Sequence, residues 1–357
     1  MHLVLGLRAS GHRAALIAHP EGELLRRMRE GHDLIPLAPH GDIDLAAAWR
    51  LSRVLKQLRP DIVHTHDPHA VAMAATAMSM AAPKPRPALV STRRALFRVA
   101  DNSFSRWKYS EVDCFIASCE AVRHRLISDG IPRAKTRVVY EGVDLGRIEH
   151  LPAANIHSEF YLPTGAPVVV NVGALVPQKG QHHFVDAAAL ALREVPDARF
   201  VIVGDGELRA ALEKHVKDKH LERHVFLAGF RPDALELTKG CDVFALTSVL
   251  EGLSIALLDA MACSKAAVAT SVGGIPEVVV DGETGYLVPP HDVRAMADRL
   301  IFLLKRPEQR QAMGHAALRR ARDAFTVERM VDGIATVYEE QAGTHRAADT
   351  ENPSAHA

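Results

Sequence analysis

The sequence predicts an α/β protein of two domains, each a parallel sheet covered by helices on both faces. Three observations carry this. The chain has 357 residues, and at about 100–200 residues per domain that suggests two. Short apolar runs alternate with stretches of helical spacing from Ala14 to Tyr140, and a second alternation starts at Val168. Such alternation builds parallel sheets with helical crossovers. Between the two runs, Gly146 to Gly165 carries helix breakers and weak periodicity. The expected organisation is a first domain over 1–145, a linker over 146–166, a second domain over 167–325, a last helix over 326–342 and a polar, disordered tail over 343–357.

Bulk composition narrows the class. Apolar residues make up 48% of the chain, and 43 Lys and Arg balance 43 Asp and Glu. That is normal for a protein with a real core. No global charge and no module motif points to nucleic acid. The four cysteines, Cys114, Cys119, Cys241 and Cys263, sit on apolar segments without paired CxxC spacing. They read as buried thiols in a reducing compartment. No apolar run approaches a membrane span, and Met1–Leu7 is too short for a signal peptide. A cytoplasmic protein is expected.

In the first half, strands are expected at Ala15–Ala18, Leu34–Leu37, Ile62–His64, Ala88–Val90, Cys114–Ala117 and Arg137–Tyr140, with a helix over Leu45–Leu58. Met1–Leu7 is too close to the next strand to be a parallel strand, since a parallel connection takes a dozen or more residues. Asp42-Ile-Asp44 is a D-x-D pattern, but it directly precedes a helix, so helix capping is the better reading and no metal is assigned. His64 and His66 close the third strand, where alternation places them on one face. A His there can contact a substrate hydroxyl or phosphate, or be structural. Asp67 and Pro68 read equally as N-cap and N1 of the next helix. Ser91-Thr-Arg93-Arg94-Ala-Leu-Phe97-Arg98, with Arg106-Trp107-Lys108-Tyr109, is basic and aromatic. It suits an anionic acceptor, the surface of an anionic membrane, or a solvated face.

The second half opens with strand Val168–Asn171 and the loop Gly173-Ala174-Leu-Val-Pro-Gln-Lys179-Gly180. Phe200–Gly204 and Val225–Gly229 are strands with turns after them. Gly204-Asp-Gly206 lacks the GxGxxG spacing and is no dinucleotide fingerprint. The run Val243–Leu246 is a buried strand. After it comes Ser248-Val-Leu-Glu251-Gly252-Leu253-Ser254, and then a helix from Ser254 to Cys263. A helix start carries unpaired N–H groups and the positive end of its dipole, so it attracts anions. Asp259 lies about 7.5 Å further along the axis than Ser254. Gly273-Gly274-Ile-Pro276-Glu277 reads as a sharp turn into a helix. Further helices are expected over Asp292–Leu304, Glu308–Arg322 and Val327–Glu340.

The Glu251 to Asp259 stretch resembles the Glu-x7-Glu signature of retaining glycosyltransferases of family 4, which have the GT-B fold. The segment Ala269–Val288 looks like the family's as well, and the similarity runs with interruptions from about Arg8 to Tyr338. The resemblance implies two Rossmann-like domains with a cleft between them, and a last helix packing back on the first domain. It implies transfer of a hexose-type sugar from a nucleotide-diphosphate sugar to a glycan or lipid-linked acceptor, with retained configuration. Neither metal nor cofactor is then needed. By the same resemblance His66 contacts the sugar beside the bond that breaks. Glu251 holds sugar hydroxyls, and Lys179 balances diphosphate charge together with the loop at Gly173. Gly252, Leu253 and Ser254 offer the diphosphate their backbone, Asp259 holds the ribose, and Phe230 and Arg231 lie beside the base.

Two positions depart from the family. Asp259 replaces Glu and reaches about 1.5 Å less. Ala174 replaces the usual Arg of the phosphate loop. The resemblance also implies that the family's first strand and Gly-rich acceptor loop belong upstream of Met1, with a gap in the first sheet as a consequence. The competing readings are a nucleotide-sugar-binding protein with little or no turnover, and a GT-B epimerase.

Overall fold

The computed structural model describes residues 1–28, 34–100 and 102–351, with side chains to Thr344. In chain order the first segment contains α1 (His2–Ala9), β1 (Leu16–Ala18), α2 (Glu23–Arg27), β2 (Leu34–Pro36), α3 (Leu45–Leu58), β3 (Ile62–Thr65), α4 (Pro68–Ala81), β4 (Ala88–Arg93), α5 (Ser103–Ser110), β5 (Cys114–Ala117), α6 (Glu120–Ser128) and β6 (Thr136–Val138). Then follow α7 (Leu145–His150), α8 (Ile156–Glu159), β7 (Val168–Val172), α9 (Gln181–Ala191), β8 (Arg199–Val203), α10 (Arg209–Asp218), β9 (Val225–Gly229) and α11 (Ala234–Gly240). The chain ends with β10 (Val243–Leu246), α12 (Ile255–Ala262), β11 (Ala266–Thr270), α13 (Ile275–Val278), β12 (Gly285–Val288), α14 (Val293–Leu304), α15 (Pro307–Ala324) and α16 (Val327–Glu351).

Two compact units result: Met1–Tyr140 with Val327–Ala357, and Glu141–Thr326. In the second unit six parallel strands run in the order β12-β11-β10-β7-β8-β9. β7, β10 and β11 are all but wholly buried, as parallel strands covered on both faces are. Their side chains join Phe184, Phe200 and Leu300 in the core. The strand order reverses between β7 and β10, and open α/β sheets bind ligands beyond the carboxyl ends of strands at such a switch point.

The first unit is built differently. Its sheet falls into two pieces, β1-β2 and β3-β4-β5-β6, with every pair parallel. α1 is the helix that the start of the chain implies, and it stops at Ser10 with Gly11 at φ +86°. Its Leu7 packs with Val90, Ile116 and the α16 residues Val331, Ile334 and Val337. Thus the last helix completes the core of the first unit.

Several sequence expectations need correction. The stretch 146–166 is no free linker. It holds most of α7 and all of α8, and Ile156 and Leu162 are buried in the second unit's core. The reason is that isolated apolar residues can anchor a segment without a periodic pattern. The order of α16 also passes the expected boundary at 343 and extends through Glu351. Its Ala-, Glu- and Arg-containing sequence favours helix. The remainder of the expected disordered tail, 352–357, lies outside the described residues. All four cysteines are buried, and none is in a disulfide. No helix among the described residues is long and apolar enough to cross a membrane.

Candidate functional site

The switch point of the second unit gathers most of the expected residues. Gly173 follows β7, and the loop after it ends in a one-turn helix at Pro177–Lys179. Gly180 turns the chain into α9 at φ +60°, and a Cβ there would stand 2.4 Å from the Thr247 carbonyl oxygen. Only glycine tolerates that approach. The turn presses this loop against the end of β10, where the Val249 N–H donates to the Gln178 carbonyl at 2.8 Å. Two consequences follow. Lys179 Nζ donates to Glu251 Oε2 at 2.6 Å, and Ser248 Oγ donates to the same oxygen at 2.8 Å. The cation and the carboxylate, far apart in sequence, form one partly buried pair.

Glu251 leads into α12. Ser254 is its N-cap, with Oγ accepting from the Leu257 N–H at 3.4 Å. The backbone N–H groups of Leu253 and Ser254 find no acceptor among the described residues. The Gly252 carbonyl is held by the Gly274 N–H at 2.8 Å, which fixes the loop from the β11 side. Pro276 lies in the first turn of α13, as expected. A rigid turn, a helix start with open donors and a Lys–Glu pair can hold a diphosphate and a hydroxyl-bearing group side by side.

Asp259 lies on α12, one element further in. Burial pushes its carboxyl up to about 6, and Arg147 on α7 pulls the other way. Arg147 was missed by sequence reading, since nothing local connects α7 to α12. The Asp144 side chain caps α7 by accepting from the Arg147 N–H at 2.9 Å. Phe230 and Arg231, after β9, have different fates. Phe230 is 75% exposed. Arg231 is clamped by Asp233, at 2.7 Å from Nε to Oδ1, and by Glu159 on α8. Its cation is therefore already neutralised.

The first unit places His64 and His66 at the end of β3 with ring centres 4.2 Å apart. Their roles separate. His64 is half-buried, with one nitrogen on the Tyr338 hydroxyl and Nε2 on Thr92 Oγ1 at 2.7 Å. It joins β3 to β4 and α16, and burial keeps it neutral. His66 accepts at Nδ1 from Arg94 Nη1 at 3.2 Å. Burial first and the Arg94 charge second push its pKa down to about 4. The imidazole is therefore neutral at physiological pH, and its Nε2–H is a donor.

The remaining polar residues of this unit cap helices or pair. Asp67 caps α4 through the Ala70 N–H at 2.8 Å, and Asp44 caps α3 through the Ala47 N–H at 2.9 Å. Asp42 binds His69 and, at 3.1 Å, Lys108 Nζ. Lys108 is 5% exposed and lies over the Phe104 and Tyr109 rings. It is an internal brace, contrary to the solvated-face reading of its segment.

Comparison with known proteins gives the family. Residues 1–147 match the model described as "Glycosyltransferase Family 4", and residues 153–320 match "Glycosyl transferases group 1". The N-acetyl-alpha-D-glucosaminyl L-malate synthase of Bacillus anthracis is 30% identical over 83% of this chain and 78% of its own. Among solved structures, Anabaena Alr3699/HepE in complex with UDP aligns with a TM-score of 0.80 at 22% identity, over 95% of this chain and 96% of that one. A glycosyltransferase from Rickettsia africae aligns at 0.82 and 18% identity, over 95% and 93%. These two give the fold as GT-B. With family models on both halves and a relative that spans most of both chains, the protein belongs to glycosyltransferase family 4.

Proposed function

We propose that this protein transfers a hexose-type sugar from a nucleotide-diphosphate sugar to an acceptor, with retained configuration and without a metal ion. The observation that carries this is the Lys179–Glu251 pair beside the open N–H groups of Leu253 and Ser254. When the donor binds, the diphosphate takes the α12 start and Lys179. Glu251 is released to the hydroxyls of the sugar. Negative charge that develops on the departing diphosphate then meets fixed donors, and such electrostatic stabilisation is commonly the largest catalytic contribution. Asp259 accepts from the ribose diol, and Phe230 offers the base an exposed ring. His66 donates its Nε2–H to a substrate hydroxyl.

The metal-independent reading rests on the resemblance of the Glu251 stretch to the retaining family. The names of relatives support a sugar transferred to an acceptor of the cell envelope or of small metabolism. They include the N-acetyl-alpha-D-glucosaminyl L-malate synthase above and a GDP-mannose-dependent alpha-(1-6)-phosphatidylinositol monomannoside mannosyltransferase of Mycolicibacterium smegmatis. A protein that binds nucleotide-sugar with little turnover is the second reading, favoured by Ala174 and by the shorter Asp259.

Calorimetric titration with UDP, GDP and ADP, then with their hexose derivatives, tests the donor half. Selective binding of one nucleotide is expected, and no binding by any of them would sink the transferase reading. Product anomers read by NMR test retention, and turnover unchanged by EDTA tests metal independence.

A further inference from the structure

The function proposed above leaves the basic stretch after β4 unexplained. It lines a cavity of about 420 Å³ that lies wholly within the first unit. Its lining joins the apolar Val71, Phe97, Val99, Phe115 and Leu126 to four cations, Arg93, Arg94, Arg98 and Lys108, with His66 beside them. Asp67 is the acid of this lining, and its carboxylate already caps α4.

The cations are not equivalent. Lys108 is answered by Asp42 at 3.1 Å. Arg93 donates to the carbonyls of Ala95, at 3.3 Å, and Phe97, at 2.6 Å, so its charge meets dipoles and no carboxylate. Arg94 bonds the neutral His66. Arg98 makes no hydrogen bond or ion pair among the described residues. A guanidinium at a cavity wall with no counter-charge is a ready partner for a carboxylate or phosphate, which it can take bidentately. The apolar part of the lining gives no role to a fully hydrated anion.

We infer that this cavity takes the acceptor, and that the acceptor is an anionic amphiphile: a phosphate or carboxylate held at Arg98 and Arg93, joined to an apolar body along Val71, Phe97 and Leu126. This rests on the transferase reading for the word acceptor, and on the cavity alone for the ligand chemistry. The uncharged Nε2–H of His66 then faces a hydroxyl of a ligand whose charge is already met by arginine.

The test is calorimetry with three probes on the intact chain: octyl phosphate below its micellar concentration, octanol, and orthophosphate. Octyl phosphate is expected to bind at least about tenfold tighter than either of the others. The Arg98→Gln variant is expected to lose about tenfold or more for octyl phosphate and nothing for octanol, the usual scale of a charge-assisted bond. Equal affinity for octanol and octyl phosphate would overturn the anion site. Equal affinity for orthophosphate would overturn the apolar half. Recruitment by phosphatidate vesicles without affinity for octyl phosphate would assign the charge to a membrane surface instead, and would also overturn the cavity. If the variant does not fold, the ranking of the probes on the parent protein decides. The same samples are titrated with UDP and GDP. Nucleotide binding without octyl phosphate binding defeats this inference alone. Octyl phosphate binding without any nucleotide binding defeats the transferase reading and leaves the anion site standing.

Discussion

The two units end strands on polar residues in opposite ways. In the second unit the ends of β7 and β10 carry a charged pair, Lys179 and Glu251, on a continuous six-stranded sheet. In the first unit the end of β3 carries two histidines that burial holds neutral, beside a sheet in two pieces. The strands differ too: β7 and β10 are almost entirely buried, while β1 and β3 are mostly half-buried. The difference shows where each unit can afford charge. On the function proposed above, the second unit meets a diphosphate with an ion pair, partly buried and held by Ser248, that an incoming ligand would divide. On the same proposal the first unit meets hydroxyls with a neutral imidazole that accepts from Arg94.

The comparison breaks most sharply at Glu251. Glu251→Ala is expected to lower turnover by about 100-fold or more, the range for losing a fixed electrostatic group at a reacting centre. Nucleotide affinity should hold, because Lys179 and the α12 start remain. Steady-state kinetics beside calorimetry separates the two, and full turnover in this variant would refute the assigned role. Lys179→Ala is the converse. It should weaken diphosphate binding by about 10- to 100-fold, from the scale of a charge-assisted bond, and leave Glu251 without its cation.

On the first unit the expected effects are on stability. His64→Ala removes a half-buried ring with hydroxyl partners on both nitrogens. A cost of about 2–4 kcal/mol follows from the cavity and the orphaned partners. Hydrogen exchange should quicken in β3, β4 and α16 and stay unchanged in β7 to β12; a uniform loss of protection would contradict the assignment. Tyr338→Phe removes only one hydroxyl and should cost about 1 kcal/mol.

The pH dependence sharpens the contrast. The folded pKa of Asp259, about 6, lies above its ordinary value of 3.8. Its protonated form is thus favoured by folding, and that contribution is complete below about pH 3.8 and lost as pH rises through about 6. Nucleotide affinity should move the other way, rising through about pH 6 as the carboxylate forms. Asp259→Asn should flatten this rise and raise stability at pH 8. His66 behaves inversely, with its pKa lowered from 6.5 to about 4. Its neutral form contributes stability above pH 6.5, which is lost as pH falls towards 4. Between pH 6.5 and 8 no change from His66 is expected in turnover.

Much of this was legible along the chain. Strands β5 and β10 and helix α3 lie where the apolar pattern put them. Asp44 and Asp67 cap the helices they precede. The Glu251 loop and Lys179 were recognisable from their neighbours. Lys108 was not, because its segment reads as a basic surface and only packing reveals Asp42 beneath it. Arg147 and the clamp on Arg231 were invisible for the same reason.

By itself, then, the sequence determined what acts within a few residues: the alternation of strand and helix, the caps, the turn at Gly273 and Gly274 and the motif that carries Glu251. Backbone sterics and hydrogen bonding over one helical turn suffice for these. Only the tertiary structure decided which charges meet, which histidine stays neutral and how strongly Asp259 holds its proton. Those depend on burial and on partners brought from distant segments, and local dielectric and distance are properties of the folded chain.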